Sequence, residues 1–197
     1  MGLQGVALPS FTTGSTVLND DVAGITASYQ FNENVGLTAL WARPFNDNSS
    51  YTKDYPGKAY DNYMDNMDAF ALLVPLSFDG VKVTPWGMYS AIGPNTFRED
   101  NDFRSGPWGA GSYAKAGLFP VMGALHKDGS SANGERKLSS YGDAWWAGLT
   151  GEVTAFDPFR FAWDFNYGSV TWDDDGRLNR SGWLASLLFE YKLDWAT

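Results

Sequence analysis

Residues 159–168 read FRFAWDFNYG, and this stretch decides the fold class. Its odd positions are all aromatic, whereas its even positions are charged, polar or small. Successive side chains of a β-strand point to opposite faces of the sheet, so a period of two predicts a strand with one aromatic face and one polar face. The same period recurs in residues 183–193, which read WLASLLFEYKL, and more loosely in residues 144–156.

Outside these stretches, alternation and turn signals bring the predicted number of strands to about eight. The upstream strands are expected at 3–8, 23–31, 35–42, 68–78 and 81–92. Tight turns are expected at 32–34, at 157–158 and at Asp79-Gly80, a dipeptide suited to a two-residue hairpin. Longer polar connections are expected at 9–20, 45–66, 93–142 and 172–180. Short and long connections therefore alternate along the chain.

This organisation predicts an all-β fold, a transmembrane antiparallel up-and-down β-barrel that forms one domain over residues 1–197. Outer-membrane barrels combine short periplasmic turns with long extracellular loops, and a soluble sandwich has no reason to show this asymmetry. The alternative is a soluble β-sandwich or jelly roll whose core is made of the aromatic faces. Long loops at 45–66 and 93–142 are difficult to fit into a compact sandwich. The barrel is therefore the favoured interpretation.

Composition excludes several other classes of protein. The chain has 197 residues, a net charge of -9 and no cysteine. No apolar run approaches the ~18 residues of a membrane-spanning helix, but this test does not apply to barrel strands, which are apolar on one face only. The acidic balance argues against a nucleic-acid partner. Without cysteine there are no disulfides and no cysteine-ligated metals.

No cofactor or metal site is expected from the remaining motifs. The sequence Asp173-Asp174-Asp175-Gly176 lacks the alternating ligands and the distal Glu of a calcium loop. His126 is the only histidine, which argues against a histidine-based zinc site and against a Ser-His-Asp triad.

Three blocks of sequence, in order along the chain, match a known kind of outer-membrane protein. They are DDVAGITASYQFNENVGLTALWARPF at 20–45, DGVKVTPWGMYSAIG at 79–93, and the stretch from YGDAWWAGLTGEV to LLFEYKL at 141–193. Together they resemble the homotrimeric outer-membrane porins of sulfate-reducing bacteria of the Desulfovibrio type.

The resemblance implies a trimer of large antiparallel barrels, each of about sixteen strands, in the bacterial outer membrane. It implies contact with membrane lipid, lipopolysaccharide and neighbouring protomers, and passive diffusion of ions and small polar solutes. With about half of the strands of such a barrel, the chain is expected to be an internal fragment. A small self-contained barrel is the alternative, since eight strands can close by themselves.

Two sets of charged residues are candidates for the pore. On the predicted parity, the residues that line the lumen include Lys82, Glu152, Arg160, Asp164, Glu190 and Lys192. Charges of both signs in a wet lumen bias which ions pass, although each could be an ordinary solvated residue. By resemblance, the long loop at 93–142 is the candidate constriction, and its charged residues are Arg98, Glu99, Asp100, Asp102 and Arg104. The alternative is an extracellular loop that packs on the rim or on a neighbouring protomer.

An enzyme is the competing hypothesis from a different class. Glu152 and Asp164 could act as the carboxylate pair of a glycosidase, with tryptophans as sugar platforms. However, Trp145, Trp163 and Trp183 share the apolar faces of their strands, where lipid contact explains aromatic residues more simply. We therefore expect a pore and not an enzyme, with a carbohydrate-binding or hydrolase sandwich as the alternative.

Overall fold

The computed structural model describes residues 2–46, 66–92, 141–173 and 179–192. These residues form antiparallel strand segments that belong to a single sheet. The segments are Gly2–Ala7 (β1), Asn19–Gln30 (β2), Gly36–Asn46 (β3), Asn66–Leu73 (β4), Leu76–Phe78 (β5), Val81–Ile92 (β6), Gly142–Val153 (β7), Phe159–Trp172 (β8) and Arg180–Tyr191 (β9).

The strands follow one another across the sheet in chain order, β1-β2-β3-β4-β6-β7-β8-β9, with β5 beside β6. The sheet is eight strands wide and is curled into a half-barrel, which confirms the all-β antiparallel prediction. Among the described strands, β1 and β9 each pair with one neighbour, so the sheet is open. Neither the two stacked sheets of a sandwich nor a closed eight-stranded barrel is formed by this part of the chain.

The predicted strand at 68–78 is divided at Pro75, which has no backbone N–H to donate to a neighbouring strand. The register nevertheless continues through the interruption, since Leu73 lies opposite Trp86 and Leu76 lies opposite Val83. The carbonyl of Pro75 accepts a hydrogen bond from the backbone N–H of Gly36, at 2.9 Å. β4 and β5 are therefore two parts of one line in the sheet.

The tight turn predicted at Asp79-Gly80 is confirmed. Phe78 pairs with Val81, so these two residues close the hairpin between β5 and β6. Gly80 has a φ of 67°, a left-handed conformation that glycine adopts without steric cost. A Cβ atom at this position would also lie 2.7 Å from the backbone of Ala155. Glycine is thus required here both by conformation and by space.

The segment Leu8–Leu18, between β1 and β2, lies across one face of the sheet and is called the inner segment below. Its apolar residues Leu8, Val17 and Leu18 are buried in one cluster with Trp86 and Trp146 of the sheet. Its backbone also reaches the side chain of Asp164 on β8, although five strands separate β1 from β8. The curvature of the sheet makes this contact possible. We call the covered face the inner face.

The large aromatic side chains point to the opposite, outer face. Along β8, Phe161, Phe165 and Tyr167 are 40–48% exposed, whereas the alternate residues Ala162 and Asp164 are buried. On β9, Trp183 and Leu187 are each 72% exposed. The sheet therefore presents large apolar side chains outward and places small or polar residues, together with the cluster under the inner segment, inward.

Candidate pore-lining site

Four charged side chains of alternating sign form a row across the inner face of β6, β7, β8 and β9. Lys82 Nζ lies 3.0 Å from Glu152 Oε1, and Arg160 Nε lies 2.8 Å from Glu152 Oε2. Arg160 Nη1 lies 2.5 Å from Glu190 Oε2. The register explains the order, since Lys82 is directly opposite Glu152 and Arg160 is directly opposite Glu190. Opposite charges at such cross-strand positions attract each other.

The row is buried at its centre and exposed at its ends. Glu152 is 8% exposed, whereas Lys82 and Glu190 are exposed. A buried carboxylate requires partners to offset the loss of hydration, and two cations supply them to Glu152. The row therefore exposes one cation, Lys82, and one anion, Glu190, to solvent. At its centre, Glu152 and Arg160 form an ion pair with each other.

A second polar cluster centres on Asp164, four residues beyond Arg160 along β8. Its carboxylate accepts hydrogen bonds from Ser10 Oγ at 2.5 Å and from the backbone N–H of Phe11 at 3.2 Å. It also accepts from the hydroxyls of Thr12 and Thr150. Thr150 belongs to β7, directly opposite Asp164, whereas the other three donors belong to the inner segment. The carboxylate thus joins the wall to the segment.

Arg160 connects the two clusters. Its Nη2 donates a hydrogen bond to the backbone carbonyl of Phe11 at 2.9 Å, while its other nitrogens bind Glu152 and Glu190. The planar guanidinium has several donors in fixed directions, so one side chain can hold three acceptors. The charged row and the inner segment are therefore parts of one site.

The structure places the sequence-predicted lumen residues as follows. Lys82, Glu152, Arg160, Asp164 and Glu190 share the inner face, as the alternation predicts. Lys192 lies just after β9, is exposed, and donates its backbone N–H to the carbonyl of Pro158. The candidate constriction residues Arg98, Glu99, Asp100, Asp102 and Arg104 lie outside the described residues, as do most of the predicted loops at 45–66 and 93–142.

Glu152 and Asp164 were predicted to face the lumen; both lie on the inner face, where they are only 8% and 5% exposed. Arg160 and Lys82 bind the first carboxylate, and the inner segment covers the second. The connection at 9–20 was predicted only as a long polar connection, and residues 10–12 bind the inner face. The apolar residues Phe11, Val17 and Leu18, in a mostly polar connection, are the sequence signal that could have indicated this path.

Comparison with known proteins leaves the site without a relative: no protein family, curated protein or solved structure matches this chain. None of the described residues belongs to a helix long and apolar enough to cross a membrane. Within the described ranges, no group of three or more His, Cys, Asp or Glu side chains could hold a metal ion.

Proposed function

We propose that this chain forms the wall of a water-filled pore in the bacterial outer membrane, through which ions and small hydrophilic solutes diffuse passively. One observation carries the proposal: the large apolar side chains are on the exposed outer face, and the ion pairs are on the inner face. A contiguous apolar surface of this kind is unfavourable in water and favourable in lipid. A charged row is favourable along a wet lumen.

The lengths of the strands support a membrane-spanning role. A tilted transmembrane strand needs ~9–11 residues, and β2, β6, β7 and β9 have 12 residues each. Along the outer side of β9, Tyr191 and Trp183 are eight residues apart, or about 26 Å along the strand. Leu187 lies between them on the same face and is 72% exposed. Aromatic residues at both ends of an apolar band are typical of barrels in the outer membrane.

An aromatic pair near the long connections includes one polar contact, as expected at a membrane surface. Tyr89 and Trp145 lie on the outer face with ring centroids 4.5 Å apart. The hydroxyl of Tyr89 donates a hydrogen bond to Asp143 at 2.5 Å. Such side chains have one apolar part and one polar part, which suits the boundary between hydrocarbon and head groups. In this proposal the outer face meets lipid, lipopolysaccharide and, in a homotrimer, neighbouring protomers.

The proposal includes no catalytic step. Glu152 is bound by two cations, and all of the acceptor sites of Asp164 are occupied by donors. These contacts favour structural groups over the acid–base pair of a glycosidase. Both act as structural groups of the pore wall.

The test of the proposed function is the conductance of the protein, extracted in detergent and added to planar lipid bilayers. We expect stepwise insertions with ohmic conductance, and insertions in multiples of three would support a homotrimer. A protein that remains soluble without detergent and never conducts would contradict the proposal. A hydrolase assay on polysaccharides would then become the next experiment.

Opposite changes in ion preference are expected when the two signs of the row are neutralised separately. Glu152→Gln leaves Lys82 and Arg160 without their shared anion, so the pore should become more anion-selective. Lys82→Gln should make it more cation-selective. A unit charge about 4 Å from an ion in water changes the free energy of that ion by about 1 kcal/mol. This corresponds to a roughly fivefold change in the local concentration of the ion.

The reversal potential in a salt gradient measures this preference for each variant. The two substitutions are matched, because both replace a charged group with the same amide and both residues belong to one ion pair. Shifts of the same sign, or no shift in either variant, would mean that the row does not face the conducting water.

A further inference from the structure

We infer that Asp164 is a positioning residue that fastens the inner segment to the wall and thereby keeps the pore at one conductance level. This inference rests on the proposed pore function, which it extends to the control of the open cross-section. Three consecutive residues of the segment, Ser10, Phe11 and Thr12, all donate to this one carboxylate. We call this set of hydrogen bonds the clasp.

The chemistry of the clasp is specific to a carboxylate. An ionised carboxyl group only accepts hydrogen bonds and has about four acceptor positions. Ser10 and Thr12 donate to Oδ2, while Phe11 and Thr150 donate to Oδ1. Because Asp164 is almost fully buried, an unpaired charge at this position would be costly. The segment therefore supplies the donors that make a buried carboxylate tolerable in the wall.

The segment is also held at its base, and this base does not depend on the clasp. The backbone N–H of Leu8 donates to the carbonyl of Leu18 at 2.9 Å, which closes the two ends of the segment together. Leu8, Val17 and Leu18 are buried against the sheet. Between these ends, Thr13 and Gly14 are exposed. Breaking the clasp should free the tip of the segment while its base stays attached.

A tip released from Asp164 but still held at Leu8 and Leu18 would occupy changing positions on the inner face. The lumen area open to ions would then vary with time, so the current through one pore would fluctuate. With the clasp intact, the tip stays against β7 and β8 and the current is steady. Asp164 acts in this way through the segment, without contacting the diffusing solute.

The mobility of the tip can be measured directly, because the chain contains no cysteine. A nitroxide spin label on Thr13→Cys reports motion at an exposed position of the tip. We expect a restrained label in the parent protein. In Asp164→Ala the label should become more mobile, because the released tip then moves on the ns–μs timescale of exposed loops. Asp164→Asn should give intermediate mobility, because its remaining oxygen still accepts from Phe11 and Thr150, and hydroxyls can accept from its amide.

A second variant separates the clasp from the charge of Asp164. The double substitution Ser10→Ala with Thr12→Val removes two donors and leaves the lumen charge unchanged. It should raise label mobility and current fluctuation as Asp164→Ala does. Ser186→Ala is the matched control, since Ser186 is directly opposite Asp164 on β9, and loss of its hydroxyl should change neither readout.

Each result decides between defined outcomes. Equal label mobility in the parent, Asp164→Ala and the double variant would overturn the clasp, whether or not the protein conducts. Changes in Asp164→Ala alone would point to the charge and also overturn it. Higher mobility with a steady current would overturn the link to conductance. A parent protein that never conducts would overturn the proposed function, and the spin-label result would still test the clasp.

Discussion

Replacing Phe165 with Arg is expected to block membrane insertion. Phe165 is near the middle of β8, on the outer face, and is 48% exposed. Under the proposed function its ring contacts lipid hydrocarbon. An arginine near the midplane of the bilayer on the lipid face of a barrel costs about 2–4 kcal/mol. This is a loss of between about 30-fold and several-hundred-fold in the ratio of inserted to free protein.

The matched control is the next residue along the strand. Asn166→Arg places the same guanidinium on the inner face, where the proposal puts water, and insertion should stay close to that of the parent. The inserted fraction can be measured as protease-resistant, heat-modifiable protein after mixing with lipid vesicles. Similar insertion of both variants would mean that the outer face does not contact lipid.

Gly148→Val is expected to lower the free energy of unfolding by about 1–3 kcal/mol, the usual cost of overpacking a filled interior. Gly148 is directly opposite Trp86, whose indole ring lies over it on the inner face. A Cβ atom at Gly148 would lie 2.3 Å from the ring. Trp86 is only 6% exposed, so surrounding residues prevent the ring from moving away.

Gly182→Val is the control for this substitution. Gly182 is also a strand glycine, and a Cβ atom there meets nothing within 4 Å. The denaturation midpoint of the Gly182→Val variant should therefore match that of the parent protein. Combining Gly148→Val with Trp86→Leu should recover part of the loss, because the two residues are in contact and their effects are not additive. Full stability of the Gly148 variant alone would show that the inner face is loosely packed.

The strands and their faces could be predicted from the sequence because both depend on local geometry. A period of two assigns Phe165 and Asp164 to opposite faces without any knowledge of the rest of the fold. The turn at Asp79-Gly80 could likewise be predicted, because the dipeptide itself favours a two-residue hairpin. The end of β4 was less predictable. Pro75 has no backbone N–H, and its effect depends on whether a neighbouring strand has a carbonyl that would accept a hydrogen bond at that position.

The clasp could not be predicted, because it depends on contacts between distant parts of the chain. Ser10 and Asp164 are 154 positions apart, and five strands lie between the elements that carry them. Nothing local in the sequence around Ser10 indicates that its hydroxyl meets a carboxylate. The same reason explains why Glu152 and Asp164 were expected to be hydrated: parity gives the face of a side chain, but not what covers that face.

The direction of the two edge strands restricts what can complete the sheet. Every strand pair in the described chain is antiparallel, and the sheet is eight strands wide, so β1 and β9 run in opposite directions. If further strands connect β9 back to β1 with only antiparallel contacts, their number must be even. An odd number would place one parallel pair in an otherwise antiparallel ring. A ring built on this sheet by one chain therefore has an even number of strands, with one more chain reversal at one rim than at the other and both chain ends at that other rim.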